Sequence, residues 1–262
     1  LDEGWKVLKR KDDAQRAIRL GQSVGATFTA DTHEVRLVED SLVWLASLAP
    51  DSFDVILTDP PYGMGADEFG DSGGLAQGAH GYADDYGMWK VLIRGLARES
   101  FRMAKPQAHT YIFCDMDRFH ELREVMGDAG WQCFRTPLIW HKPSAMRAPW
   151  PEHGPQRKYE LILYAMKGKR TVTTLFPDLI TYPPDDNLGH AAQKPVALYE
   201  DLLRRSVVPG NWILDPFMGS GPVFPAAHAC MCRAVGADKD PASYGLAVGR
   251  VEKLKAQKEL GL

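Results

Sequence analysis

The run FDVILT, residues 53–58, reads as a strand with apolar side chains on both faces. Such a strand needs cover on both sides, which parallel sheets obtain from helices packed on each face. Directly after it stands Asp59-Pro60-Pro61-Tyr62. Each proline fixes φ and lacks an N–H, so the ladder cannot continue through them. The residue before each proline is pushed to an extended conformation. The Asp59 carboxylate, the Pro60 carbonyl and the Tyr62 ring are therefore expected to project stiffly from the carboxyl edge of a sheet, where open α/β sheets hold their ligands. Taken alone, D-P-P fits an ordinary strand-to-turn junction just as well.

The rest of the chain repeats the strand–helix alternation. VRLVEDSLVWLASLAP (35–50) reads as a strand, a capping turn and a helix that ends before Pro50. Residues 88–105 alternate as an amphipathic helix, 109–114 as a strand, 118–130 as a helix with a glycine stop, and 133–142 and 159–168 as strands. PVALYEDLLRRSVVPG (195–210) opens with proline at a helix start and closes on Pro-Gly. Strand 211–217, helix 221–230, strand 232–238 and a closing helix over 241–257 complete the pattern. The fold class this predicts is α/β, with a mostly parallel central sheet and helices on both faces. Residues 63–87, rich in Gly, Asp and Ala, read as a long mobile loop.

At 262 residues, 45% hydrophobic and 25% charged, the chain suits one large globular domain. No apolar run approaches the ~20 residues of a membrane span, and no signal peptide is visible. The first residue is Leu1 rather than Met, as if starting residues had been trimmed. Cys114, Cys133, Cys230 and Cys232 lie in or beside apolar runs and form neither a disulfide framework nor a zinc site. A reducing, cytoplasmic setting and no metal are expected. Net charge is −3, yet residues 135–170 carry eight Lys/Arg against two Glu, and residues 31–85 carry twelve Asp/Glu against one Arg. This fits either two solvated faces or a phosphate-binding lip beside a pocket of carboxylates.

A second signature lies at ILDPFMGSGPV (213–223), a strand followed by F-x-G-x-G and a helix. Gly219 and Gly221 would let the backbone turn sharply and approach a ligand, and the helix after them presents free N–H groups. Strand 232–238 ends in Asp238, where such folds hydrogen-bond a ribose. Phe224 stands where a dinucleotide fingerprint has its third glycine, which argues against a pyrophosphate.

Together the two signatures resemble the amino-methylating DNA methyltransferases that form N6-methyladenine or N4-methylcytosine. The order matches their permuted β-class, with D-P-P-Y ahead of F-x-G-x-G. VEDSL (38–42) is similar to that family's G-D-C-L, and LIWHKP (138–143) to its strand ending in W-x-K. HAAQKPVALYEDLL (190–203) resembles its H-P-x-Q-K-P helix, and GADKDPASY (236–244) its G-[IV]-E-x-[ND]-P-x-Y. The chain departs from the pattern at four places: Glu39 for glycine, Ala191-Ala192 for Pro-x, Pro222-Val223 for Thr-Thr, and Asp238 for glutamate.

The resemblance implies a Rossmann-like, S-adenosylmethionine-dependent methyltransferase domain over 35–262, behind an N-terminal extension of 1–34. It implies that Asp59 and the Pro60 carbonyl hold the target amine, with Pro61 stiffening the turn and Tyr62 stacking on a base swung out of the duplex. The cofactor is expected against Asp59, Phe217, Gly219 and Gly221, with Asp238 at its ribose, Asp40 and Ser41 near its adenine, and Lys194-Pro195 at its methionine end. Asp215 is expected either to face the cofactor's amino group or to cap the turn. Double-stranded DNA is the implied partner, met by a monomer or a homodimer in a bacterial or phage setting. DNA reading falls to residues 63–87 and 144–158, where Arg147, Trp150, His153, Arg157 and Lys158 interleave charge with an aromatic; an ordinary basic loop is the competing reading. D-P-P-Y favours adenine N6 over cytosine N4. An RNA substrate or a non-catalytic nucleic-acid-binding partner remains as an alternative. Cytosine-C5 chemistry is excluded, since no cysteine follows a proline.

Overall fold

The computed structural model describes residues 33–62, 86–143, 158–185 and 193–259. In chain order the elements are β1 (Glu34–Leu37), α1 (Ser41–Ser47), β2 (Phe53–Thr58), α2 (Tyr86–Met103), β3 (Ala104–Cys114), α3 (Met116–Asp128), β4 (Gln132–Cys133) and β5 (Leu138–His141). They continue with β6 (Tyr159–Lys167), β7 (Leu179–Thr181), α4 (Val196–Arg204), β8 (Trp212–Asp215), α5 (Val223–Ala229), β9 (Arg233–Asp238) and α6 (Pro241–Glu259).

The strands form one sheet in the order β1-β9-β8-β2-β3-β6-β5-β7, with β4 paired to β6. Neighbours from β1 to β3 run parallel; β6 lies antiparallel to β3, β4 and β5, and β7 is parallel to β5. The mostly parallel sheet expected from the sequence is therefore present. All six positions of β2 are buried. Val55 and Leu57 pack into a core with Leu198, Leu202 and Phe224, whereas Ile56 joins Leu45, Ile93, Leu96, Leu122 and Met126. Helices α1–α3 thus cover one face and α4–α6 the other, each buried aliphatic side chain contributing roughly 1.5–3 kcal/mol.

The boundaries differ from the sequence reading at several points, two of them beside prolines. Helix α2 begins at Tyr86, so Tyr86 and Gly87 are helical rather than part of a loop. Strand β3 begins at Ala104, and its register with β2 shifts between Phe53 and Val55, a bulge that passes over Pro106 and its missing donor. Residues 133–142 are two strands, β4 and β5, divided near Pro137. The three-residue β7 carries too short a pattern to be read from sequence.

The direction in which the chain crosses the sheet reverses between β2 and β8. From β2 the chain moves to β3 on one side, while the other neighbour of β2 is β8, with Val55 opposite Ile213 and Ile56 opposite Leu214. Asp59-Pro60-Pro61-Tyr62 and the glycine loop, far apart in sequence, thereby leave the carboxyl ends of adjacent strands. This is the topological switch point at which open α/β sheets bind ligands.

Candidate active site

Strand β2 ends in Thr58, whose hydroxyl is fully buried and donates to Asp215 Oδ1 at 2.7 Å. The chain then turns outward through Asp59 and the buried Pro60, with Pro61 and Tyr62 half-buried. The Tyr62 hydroxyl donates to Asp59 Oδ1 at 2.7 Å and lies 3.3 Å from Glu160 Oε2. Lys194 Nζ is 2.7 Å from Asp59 Oδ2 and 3.1 Å from Glu160 Oε2. Lys142, at the end of β5, pairs with the other Glu160 oxygen. Two ammonium groups and two carboxylates thus alternate around a tyrosine hydroxyl.

The electrostatics follow from burial and pairing. Burial, then the neighbouring Asp59 and Glu160 charges, push the Tyr62 hydroxyl well above its ordinary range, so it acts as a donor. Burial alone would raise Glu160, but Lys194 and Lys142 outweigh it and bring the carboxyl down to about 2. Burial would lower Lys194, yet Asp59 and Glu160 hold it above the usual lysine range. Burial lifts the nearby Cys114 thiol to about 12, which leaves it unreactive.

On the adjacent strand, Asp215 accepts from Phe217 N at 3.3 Å as well as from Thr58. Its Oδ2 is buried without a hydrogen-bond partner among the described residues. Burial drives the Asp215 carboxyl up to about 8 against those two hydrogen bonds. One Asp215 oxygen thus caps the turn, as one of the two expectations had it, and the other is buried without a described partner.

Gly219 and Gly221 adopt φ of 51° and 76°, in the left-handed region. Their reasons differ. A Cβ on Gly219 would meet nothing within 4 Å, whereas one on Gly221 would sit 2.8 Å from Ala247 Cβ and from Phe224 Cδ2. Gly221 therefore serves the close packing of α6 on the loop, and only Gly219 borders open space. Asp238, at the end of β9, accepts from Gly219 N and Asp240 N, both at 2.9 Å. Its shorter side chain is engaged in holding the glycine loop.

Some of the remaining predicted residues lie at or beside this loop. Asp40 is the N-cap of α1, accepting from Leu42 N and Val43 N, and Ser41 donates to Pro216 O at 3.2 Å. Phe217 packs against the core on the α1–α3 face. Pro195 occupies the N-cap position of α4, directly after Lys194. Gln193 accepts from Ser220 Oγ at 3.1 Å, joining the K-P stretch to the loop. Lys158 donates weakly to Pro143 O at 3.4 Å. Arg147, Trp150, His153 and Arg157 lie outside the described residues, as does the predicted loop from 63 to 85. No group of three or more His, Cys, Asp or Glu among the described residues is placed to hold a metal ion, and no helix there is long and apolar enough to cross a membrane.

Glu160 escaped the sequence reading. The signal was present: it is the one acidic residue in the apolar strand YELILYAMK. A carboxylate entering a buried strand needs paired cations, and the K of W-x-K and the K of Q-K-P supply them.

The sheet order and the site at its switch point are those of a Rossmann-like α/β fold. The chain resembles the M1.HpyAVI–SAM complex with a TM-score of 0.63 at 21% identity, covering 83% of this chain and 98% of that one. It resembles the cytosine-N4-specific PvuII DNA methyltransferase with a TM-score of 0.62 at 16% identity, covering 85% and 91%. In sequence it is 25% identical over 204 residues to the type II methyltransferase M.HpaI of Haemophilus parainfluenzae, spanning 68% of this chain and 61% of that relative's length. The N6/N4 DNA methylase model matches residues 53–248, well over half of the chain. The chain belongs to this DNA methylase family, whose members use S-adenosylmethionine.

The residues present fit that cofactor. The orphaned Asp215 Oδ2 can receive an ammonium, and the open space at Gly219 admits a ligand against the backbone.

Proposed function

We propose that this chain methylates the N6 amine of adenine in double-stranded DNA, at a specific site. The observation that carries the reading is the Asp59 carboxylate, fixed by two prolines at the carboxyl end of β2 beside the cofactor loop of β8. Phe217, Gly219, Asp215 and Asp238 would hold S-adenosylmethionine, which supplies an electrophilic methyl group when bound. Asp40 and Ser41 lie at the adenine end of that loop and Pro195 at the other.

The adenine amine is a poor nucleophile because its lone pair is delocalised into the ring. Asp59 accepts one N–H and the Pro60 carbonyl the other, favouring a tetrahedral nitrogen with its lone pair aimed at the methyl carbon. Positive charge grows on the nitrogen as its bond to the methyl carbon forms and the methyl–sulfur bond breaks to leave a neutral thioether. The Asp59 carboxylate, held in a water-poor pocket, stabilises that charge and can take the proton the methylated amine sheds. Tyr62 stacks on the extruded base. A charged acceptor, where N4-cytosine enzymes more often place serine, favours adenine.

Incubation with unmethylated DNA and labelled S-adenosylmethionine, followed by nucleoside mass spectrometry, tests the proposal. N6-methyladenine is the expected product. N4-methylcytosine would change the target base, label confined to RNA would change the substrate, and a protein that binds cofactor or DNA without transfer would be a non-catalytic partner.

A further inference from the structure

Both Asp59 oxygens already have partners, Tyr62 on Oδ1 and Lys194 on Oδ2. A target amine that uses Asp59 as its acceptor must therefore compete with Lys194. The Lys194 side chain is 7% exposed, and its Nζ lies 5.2 Å from the Phe113 ring centroid and 5.7 Å from that of Tyr62. A buried cation cannot leave one carboxylate unless a second receives it, since an uncompensated buried charge costs several kcal/mol. Glu160 is that second carboxylate, 3.1 Å away on β6. Lys142 occupies the far Glu160 oxygen and leaves Oε2 facing Lys194 and Tyr62.

We propose that Glu160 is a positioning residue for methyl transfer: it keeps Lys194 charged and takes it over when the target amine occupies Asp59 Oδ2. Lys194 fills the acceptor in the empty site and clears it in the loaded one. The two lysines and two carboxylates form a neutral set while Lys194 bridges them. Once Lys194 moves to Glu160, the full Asp59 charge faces the nitrogen on which positive charge develops. This inference rests on reading Asp59 as the amine acceptor.

The test compares the wild type with Glu160→Gln, Lys194→Met and the double variant. Among the described residues, Glu160→Gln leaves Lys194 paired with Asp59 alone. Single-turnover transfer to DNA at saturating cofactor should slow at least about tenfold, while the calorimetric cofactor affinity stays within about twofold of wild type. Adding Lys194→Met removes the competitor, so at saturating cofactor the double variant should transfer faster than Glu160→Gln alone. By 13C NMR of lysine Cε, with Lys194→Met as the assignment, Lys194 in Glu160→Gln should lose its proton about one pH unit or more lower. A double variant as slow as Glu160→Gln, or an unchanged Lys194 titration, overturns the proposal. Should Glu160→Gln fail to fold, Glu160→Asp keeps the charge and should retain both the titration and most of the rate; loss of either would count equally against it. A wild type that transfers no methyl group to any DNA would instead sink the functional reading, and the NMR comparison would still decide whether Glu160 holds Lys194 charged.

Discussion

Thr58 donates its hydroxyl to Asp215 Oδ1 at 2.7 Å, tying the last residue of β2 to the last residue of β8. The bond orients Asp215 so that Oδ2 stays buried and without a partner among the described residues. With its carboxyl raised by burial to about 8, Asp215 holds a proton in the free protein at neutral pH.

Cofactor binding should therefore release a proton, if Oδ2 receives the cofactor's ammonium. Calorimetry at pH 7 in buffers of different ionisation enthalpy should detect about one proton expelled, with affinity rising up to about pH 8. Asp215→Asn should abolish the release. A binding enthalpy that does not depend on buffer would leave Asp215 as a cap only. The same carboxyl has a stability consequence. Its unfolded value lies near 4, so between about pH 4 and 8 the folded chain carries the extra proton and loses stability as pH rises. Asp215→Asn should flatten that decline in denaturant titrations.

Much of this site was legible because its backbone devices are local. Prolines 60 and 61 end a strand wherever they stand, and the run FDVILT carried the two-faced burial that the cores on either side of β2 confirm. The glycines of the loop were legible as glycines but not in purpose. The reason for Gly221 is Ala247 on α6, a contact no spacing announces. Glu160 was missed because its partners, Lys142 and Lys194, are remote from it in sequence, and only the sheet brings them to one carboxylate.

The two loop glycines should separate cleanly in mutants. Gly221→Ala drives a methyl group into Ala247 and Phe224, and overpacking of this kind costs roughly 1–3 kcal/mol. Its melting temperature should fall. At Gly219→Val the added Cβ meets nothing within 4 Å among the described residues, so the stability cost there comes chiefly from the left-handed backbone, about 1–2 kcal/mol. That variant's cofactor affinity should drop more than tenfold, about 1.4 kcal/mol, because the side chain fills the space proposed for the ligand. Equal cofactor affinity in wild type and Gly219→Val would place the cofactor elsewhere.

Asp59→Ala should abolish transfer and largely spare cofactor binding. The alanine removes the amine's acceptor and leaves Lys194 paired with Glu160, while the glycine loop on β8 keeps its own contacts to Asp238 and Asp215. Titration calorimetry with the cofactor and a single-turnover assay check the two halves. Near wild-type turnover would remove Asp59 from the chemistry.

Arg147 and Arg157 lie on the stretch between β5 and β6, whose ends the structure holds together. His141 is paired with Tyr159, and Lys142 N donates to Lys158 O at 2.8 Å. Those ends lie beside Lys142, which pairs with Glu160, and Glu160 shares Lys194 with Asp59. If the two arginines meet phosphates, replacing both with alanine should weaken all sequences alike and flatten the log–log salt dependence by roughly one unit for each phosphate no longer neutralised. If one reads a guanine edge, the variant should instead show relaxed specificity of about 1–3 kcal/mol at a single base position. Methylation across a randomised duplex library at two salt concentrations distinguishes these outcomes. Unchanged affinity, salt slope and sequence preference would make the stretch a solvated face and move recognition to the segment between Tyr62 and α2.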